Sequence, residues 1–207
     1  MISNEGPALS LSDVNNDGID DFFVGGAKFQ NSKLFISHDN KYIVDSLVFS
    51  KNRNSEDVAS IFFDADGDSD KDLYVCSGGR AFSNNDIALK DRIYINDGKG
   101  NFKYNDNILP KDFFVNSSSV THSDFNNDGL QDLFVGQRTK TRNYGLPGSG
   151  YLMYNSPNDG YKIQDQDVFS NIGMITDVKS GDINNDGWDD IVVVGEWMNC
   201  LLYTSDA

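Results

Sequence analysis

Asp13-Val14-Asn15-Asn16-Asp17-Gly18-Ile19-Asp20-Asp21 sets four carboxylates within nine residues, a density at which like charges oppose one another. The pattern returns as DADGDSDKD at 64–72, DFNNDGLQD at 124–132 and DINNDGWDD at 182–190. The first aspartates stand 51, 60 and 58 residues apart (13 to 64, 64 to 124, 124 to 182), a period that marks repeated supersecondary units. Each segment runs into a short apolar stretch: Phe22-Phe23-Val24-Gly25, Leu73-Tyr74-Val75-Cys76, Leu133-Phe134-Val135-Gly136 and Ile191-Val192-Val193-Val194-Gly195. Such β-branched and aromatic runs, bounded by turn residues, read as buried strands.

A second pair of strand-like runs follows in each unit. Lys33–Ser37 leads through His38-Asp39-Asn40 to Tyr42-Ile43-Val44, and Arg92–Asn96 leads through Asp97-Gly98-Lys99-Gly100 to Asn101–Tyr104. The third copy is Tyr151–Tyr154, then 155–160, then Tyr161-Lys162-Ile163. Asp-Gly between alternating runs is a hairpin signal. With a strand of the Ala8–Ser12 type ahead of each acidic loop, every unit has four antiparallel strands, the description of a propeller blade. The expected fold is all-β, a β-propeller with about three and a half blades: 8–49, 58–104, 118–169 and a partial blade at 175–199 that stops after its second strand. Blade 2 carries an insertion from Gly79 to Asp91. Closed propellers have more blades than this, so the chain is expected to be a piece of a larger, seven-bladed one whose remaining blades are its partners.

Composition agrees. The 207 residues are 38 % hydrophobic and 12 % aromatic, within the globular range. The acids are 29 Asp and only 3 Glu, and Asp favours turns and loops where Glu favours helix interiors. Half of the 32 acidic residues fall in the four loops, which hold 16 Asp. A net charge of −15 argues against nucleic acid as a partner. No apolar run is long enough to span a membrane, and Met1–Glu5 is not a basic leader with an apolar run behind it. The two cysteines, Cys76 and Cys200, are too few for a disulfide framework, and Cys76 is expected to fill a strand position.

Numbered from the first Asp, loop positions 1, 3, 5 and 9 are Asp13, Asn15, Asp17 and Asp21; Asp64, Asp66, Asp68 and Asp72; Asp124, Asn126, Asp128 and Asp132; and Asp182, Asn184, Asp186 and Asp190. Calcium takes six to eight oxygen ligands, which alternate residues of a tight loop can supply. Position 7 (Ile19, Asp70, Leu130, Trp188) would offer a backbone carbonyl, so its side chain is free to vary. Position 6 is Gly18, Gly129 and Gly187, with Ser69 in loop 2. An EF-hand shares the first half of this pattern but needs Glu at position 12; here that position is Val24, Val75, Val135 and Val193, each in a strand. Up to four Ca²⁺ sites are therefore expected between the first and second strands of the blades, each closed by the position 9 Asp. Asx turns needing no metal are the competing reading; four copies in register, each with repelling charges, favour the cation. Sites of about 0.1 mM affinity would be empty at cytosolic calcium levels, so the protein is expected outside the cell, at its surface or in a periplasm.

These loops and the strands behind them resemble the FG-GAP/VCBS repeat family, whose integrin α-like propellers carry Asp-x-Asn/Asp-x-Asp-Gly-x-x-Asp calcium loops. Cys76–Gly79, Asp91–Phe102, Asn171–Asp177 and Gly195-Glu196-Trp197-Met198 are similar, more narrowly, to bacterial VCBS-repeat proteins related to the ASPIC/UnbV group, which are often exported. The resemblance implies a calcium-stabilised propeller used for adhesion or ligand binding. The Gly-Ala-Pro ending of integrin repeats is missing, so integrin-type recognition is not implied. Cys200–Ala207 resembles a translated transposase adapter sequence and is expected to be a non-native tail.

The sequence has no Gly-x-Ser-x-Gly, His-Glu-x-x-His, Cys-x-x-Cys or phosphate-loop pattern. His38 and His122 fall at turn and strand positions. Glu196-Trp197 and the basic run from Arg138 to Arg142 could touch a sugar or carboxylate, or could serve packing and solvation. The expected function is a non-enzymatic adhesion or ligand-binding scaffold for a glycan or protein. The propeller of a polysaccharide lyase and a purely structural surface repeat are the alternatives.

Overall fold

The structure, a computed structural model, describes residues 6–39, 41–79, 82–164 and 167–204. Met1–Glu5, Asn40 of the expected hairpin turn, Arg80 and Ala81 of the insertion, Asp165 and Gln166 of blade 3, and Ser205–Ala207 of the expected tail lie outside these residues.

Among the described residues, fifteen strands form four antiparallel sheets in chain order. Blade 1 is β1 (Leu9–Ser12), β2 (Asp21–Val24), β3 (Lys33–His38) and β4 (Lys41–Asp45). Blade 2 is β5 (Glu56–Phe63), β6 (Asp72–Gly78), β7 (Arg92–Ile95) and β8 (Lys103–Asn105). Blade 3 is β9 (Ser117–Ser123), β10 (Asp132–Gln137), β11 (Gly150–Tyr154) and β12 (Lys162–Ile163). Blade 4 is β13 (Met174–Gly181), β14 (Asp190–Glu196) and β15 (Leu201–Tyr203). Each strand pairs with its sequence neighbour, as in propeller blades. No described helix is long and apolar enough to cross a membrane.

Blade 4 corrects one expectation: it does not stop after its second strand. Leu201–Tyr203 pairs with β14 in the register Ile191↔Tyr203, Val192↔Leu202, Val193↔Leu201. The physical reason is the open edge of β14. An apolar, β-forming Leu-Leu-Tyr run satisfies its backbone groups there, whatever the origin of the last eight residues.

The first strands of successive blades lie side by side, with β5 against β1, β9 against β5 and β13 against β9. Hydroxyls stitch them together: Ser10 Oγ to Ser60 Oγ at 2.8 Å, Thr121 Oγ1 to Ser180 Oγ at 2.8 Å, and Ser118 Oγ donating to the Ile175 carbonyl at 2.7 Å. The apolar core lies between the sheets, one cluster per junction. Phe23, Tyr74 and Phe134, each paired across its hairpin with Leu34, Ile93 or Leu152, fill the three junctions. At about 1.5–3 kcal/mol per buried apolar side chain, each pair contributes about 3–6 kcal/mol to the adhesion between blades. The equivalent pair in blade 4, Val192 and Leu202, meets no following sheet among the described residues, and Leu202 stays 50 % exposed.

Position 2 of the acidic loop belongs to the same core. Val14, Ala65 and Phe125 are buried in the junction with the next blade, whereas Ile183, at the same position of loop 4, is 51 % exposed. The loop is thus an inter-blade plug as well as a turn.

At the other end of the sheets the junctions are polar. Arg92 donates from Nη2 to Asp57 Oδ1 at 2.5 Å, both side chains being buried. Asp57 Oδ2 accepts from the Gly26 amide at 2.8 Å and from the Ser32 hydroxyl, so blade 2 grips blade 1. Asp91 accepts from Tyr74 OH and Ser117 Oγ, both at 2.7 Å, tying blade 2 to blade 3.

Candidate metal centre

All four loops lie between the first and second strands of their blades. Loops 1, 3 and 4 are built alike. The position 1 carboxylate accepts the amides of positions 5 and 6: Asp17 and Gly18 on Asp13, Asp128 and Gly129 on Asp124, Asp186 and Gly187 on Asp182, at 2.8–3.1 Å. The position 3 Asn carbonyl accepts the position 5 amide, and the position 5 carboxylate accepts the position 7 amide. These nested Asx turns coil the chain around its own side-chain oxygens.

The coil needs two left-handed residues. Position 6 has φ of 84°, 89° and 91° at Gly18, Gly129 and Gly187, and Ser69 takes the strained value of 76° in loop 2. Position 4 is left-handed as well, at Asn16, Asn127, Asn185 and Gly67. That requirement was legible in the repeated Asn-Asp-Gly, since Asn is the residue after Gly that tolerates this conformation.

Position 9 does more than close the loop. Asp21, Asp72, Asp132 and Asp190 have no solvent-exposed surface. One oxygen accepts the position 2 amide of its own loop, from Val14, Ala65, Phe125 or Ile183, at 2.8–3.0 Å. The other accepts an amide at the end of the third strand, from Ser37 just before its last residue or from Asn96 or Asn155 just past it, at 2.6–2.8 Å. In blade 4 the corresponding residue is Ser205, outside the described residues, and Asp190 Oδ1 has no partner among those described. An ionised carboxylate has about four acceptor sites, so two amides leave room for a cation.

Loop 2 is different. Ligand oxygens of Asp64, Asp66 and Asp72 lie within 4.8 Å of one another, the one such carboxylate triplet among the described residues. Asp70 adds a fourth carboxylate nearby, and its buried Oδ1 has no hydrogen-bond partner. Burial pushes Asp72 up to about 7 against the opposing pull of the Asn96 and Ala65 amides. Desolvation, then repulsion from Asp68, raises Asp70 to about 6, and the same two causes raise Asp66. Each shift reports an anion short of positive charge. A divalent cation fits here: Asp64, Asp66 and Asp72 would hold it, and it would neutralise the repulsion. In loops 1, 3 and 4 an Asn at position 3 replaces one carboxylate, and its Nδ2 donates to the position 5 Asp at 3.2, 3.0 and 2.7 Å. Those loops balance more of their charge internally. Burial still raises Asp132 to about 6.

The FG-GAP-like repeat profile matches residues 64–135 and 124–193, which begin and end on the acidic loops and the strands behind them. The chain belongs to the FG-GAP-like repeat family. No curated protein matches it. Among solved structures, this FG-GAP-like chain is similar to an Agrocybe aegerita lectin described as recognising non-reducing terminal N-acetylglucosamine. The TM-score is 0.59 at 17 % identity, over 95 % of this chain and 48 % of the lectin. The FG-GAP-like chain therefore spans about half the length of that lectin, and the likeness is one of fold. A second structure, assigned by name as an exo-beta-1,3-galactanase of Bifidobacterium bifidum s17, aligns at a TM-score of 0.46 and 11 % identity over 98 % of this chain and 72 % of its own.

The remaining candidates separate cleanly. His38 is exposed beside Asp39, at 3.5 Å. His122 lies on β9, bonded through Nδ1 to Gln131 Oε1 at 2.6 Å and packed on Phe63, and burial lowers its pKa. Cys76 is fully buried in β6, which raises its thiol well above the usual value. Two residues that sequence reasoning missed are Asn96 and Asn155. Asn96 Nδ2 donates to the Val14 carbonyl at 2.8 Å, and Asn155 Nδ2 to the Ala65 carbonyl at 2.9 Å. Each follows the third strand of one blade and clamps position 2 of the loop in the preceding blade. Their shared place after Ile95 and Tyr154 was the available signal.

Proposed function

We propose that this FG-GAP-like segment is a calcium-stabilised, glycan-binding part of an extracellular or cell-surface propeller, acting in recognition and not in catalysis. The observation that carries the reading is the chemical difference between the two ends of the sheets. One end is the four acidic loops. The connections from second to third strand emerge at the other end, and there Phe29, Tyr144 and Trp197 are 69, 43 and 75 % exposed. Exposed aromatics beside polar side chains suit a ligand with both apolar and hydroxyl-bearing faces. The lectin's printed specificity for a terminal sugar supports the choice of glycan. Calcium at the loops would hold blades in register through the position 2 plug, and so fix the spacing of the recognition end. The test is a glycan array probed with the full chain in about 1 mM calcium, a concentration at which extracellular-type sites fill, and again in excess chelator. The reading expects retention on a defined glycan set that falls when calcium is removed. Absence of retention on any glycan would overturn it.

A further inference from the structure

The junction of blades 3 and 4 carries a constellation that the acidic loops do not explain. Trp197 is a bulky residue in the left-handed region, φ 55°, and yet 75 % exposed. Such strain in a side chain that contributes little to the core points to a purpose outside packing. Its ring does not turn toward the open face of blade 4. It lies over blade 3, where a Cβ on Gly145 would come within 2.9 Å of the ring. Gly145 has φ +91°, so both its conformation and its lack of a side chain admit the indole. The Tyr144 ring meets the indole edge-on, centroids 5.9 Å apart.

Beside the indole is a cavity of about 260 Å³, lined among others by Pro147, Asn171, Gly173, Glu196 and Trp197. Its walls come from different blades and are bridged by backbone, the Gly148 amide donating to the Gly173 carbonyl at 2.7 Å. Glu196 is fixed in place: Arg138 Nη2 donates to Oε1 at 2.7 Å and Tyr144 OH to Oε2 at 3.1 Å. Each oxygen keeps a further lone pair. Lys140 donates to Asn171 Oδ1 at 2.7 Å, which orients that amide.

Resting on the glycan-binding reading above, we infer that this junction is a site for one uncharged pyranose ring, stacked on Trp197 with vicinal hydroxyls donating to Glu196. A pyranose has an apolar C–H face and a polar rim, and the site offers a flat aromatic surface next to a planar pair of acceptors. Arg138 already neutralises Glu196, so no net negative charge is left to draw in a basic side chain. The paired site likewise holds no net positive charge to draw in an acidic sugar, which a chain of net charge −15 repels at long range.

The test is calorimetric titration of the full chain, in saturating calcium, with neutral monosaccharides and with the best oligosaccharide from the array, for wild type, W197A and E196Q. W197A keeps the left-handed backbone and gives up only the edge contacts of a ring that is 75 % exposed, those with Tyr144 and Gly145, so its melting temperature should fall little. The site predicts that W197A weakens binding about tenfold or more, as aromatic anchors do. E196Q, which removes the charged acceptor, should weaken it by a similar factor of about ten. Unchanged affinity in both variants would overturn the site and leave the broader glycan reading standing. A wild type that binds no sugar would overturn both. A lysine-rich peptide that binds at Trp197 where neutral sugars do not would also overturn it, by showing a cation site.

Discussion

Replacing Asp72 with Asn separates the structural role of this carboxylate from a metal-binding one. Asp72 accepts two amides, from Ala65 and Asn96, each at 2.8 Å. In Asp72→Asn one of those amides faces an NH₂ group, and losing a bond to a charged acceptor costs about 1.5–3 kcal/mol. An opposing term exists without metal. Burial raises this carboxyl from 3.8 to about 7, which near pH 8 is roughly 4 kcal/mol held against the ionised form, or about 2 kcal/mol once local relaxation raises the effective dielectric around it. In chelator the two terms nearly cancel, and the variant should lie within about 1 kcal/mol of wild type. In calcium the relief disappears, because a bound cation already balances the charge. The variant also forfeits the linkage stabilisation, about 1.5–2 kcal/mol for a site of roughly 0.1 mM affinity in millimolar calcium. The loss then totals about 3–5 kcal/mol. Urea unfolding of wild type and variant near pH 8, with calcium and with chelator, measures all four corners of the cycle. Equal losses in both conditions would show that Asp72 holds backbone and no cation.

Two further outcomes follow from the same geometry. In chelator, stability should be higher near pH 5 than near pH 8. Asp72, Asp70 and Asp132 titrate at about 7, 6 and 6 when folded. Carboxyls raised above their unfolded values contribute stability that is fully present below about pH 4 and is lost as pH rises through the folded values; saturating calcium should flatten this slope, and a metal-free protein that is less stable near pH 5 would refute it. Asn155→Ala removes the donor to the Ala65 carbonyl and should cost about 1–3 kcal/mol, with weaker calcium binding at loop 2, both read from denaturant curves and calcium titration. An effect below about 0.5 kcal/mol, within the range of ordinary surface substitutions, would show that the clamp between blades is dispensable.

Most of this architecture is written in local pattern. The apolar runs after Asp21, Asp72, Asp132 and Asp190 become β2, β6, β10 and β14, and the acidic segments become the turns ahead of them. Strand periodicity and turn chemistry act over a few residues, so sequence reports them directly. Relations between blades are another matter. Nothing in Asn96 or Asn155 announces that its amide ends on the preceding blade. The apolar position 2 inside an acidic loop was a visible anomaly whose explanation needed the neighbouring sheet. Loop 2's extra charge could be counted from its letters, but the burial that turns Asp72 into an unwilling anion comes from packing around β7. Leu201–Tyr203 was set aside for its resemblance to an adapter sequence, and an open strand edge pairs with β-forming residues regardless of their source.

The central claim is that a divalent ion sits among the aspartates of the acidic loops, foremost in loop 2. Crystals of the full chain grown in calcium, with anomalous differences collected at long wavelength, test it most directly. A peak bounded by Asp64, Asp66 and Asp72, with oxygens at about 2.3–2.6 Å, is the predicted result. Well-ordered loops with no anomalous peak, and with Asp66 and Asp70 turned to solvent, would contradict it.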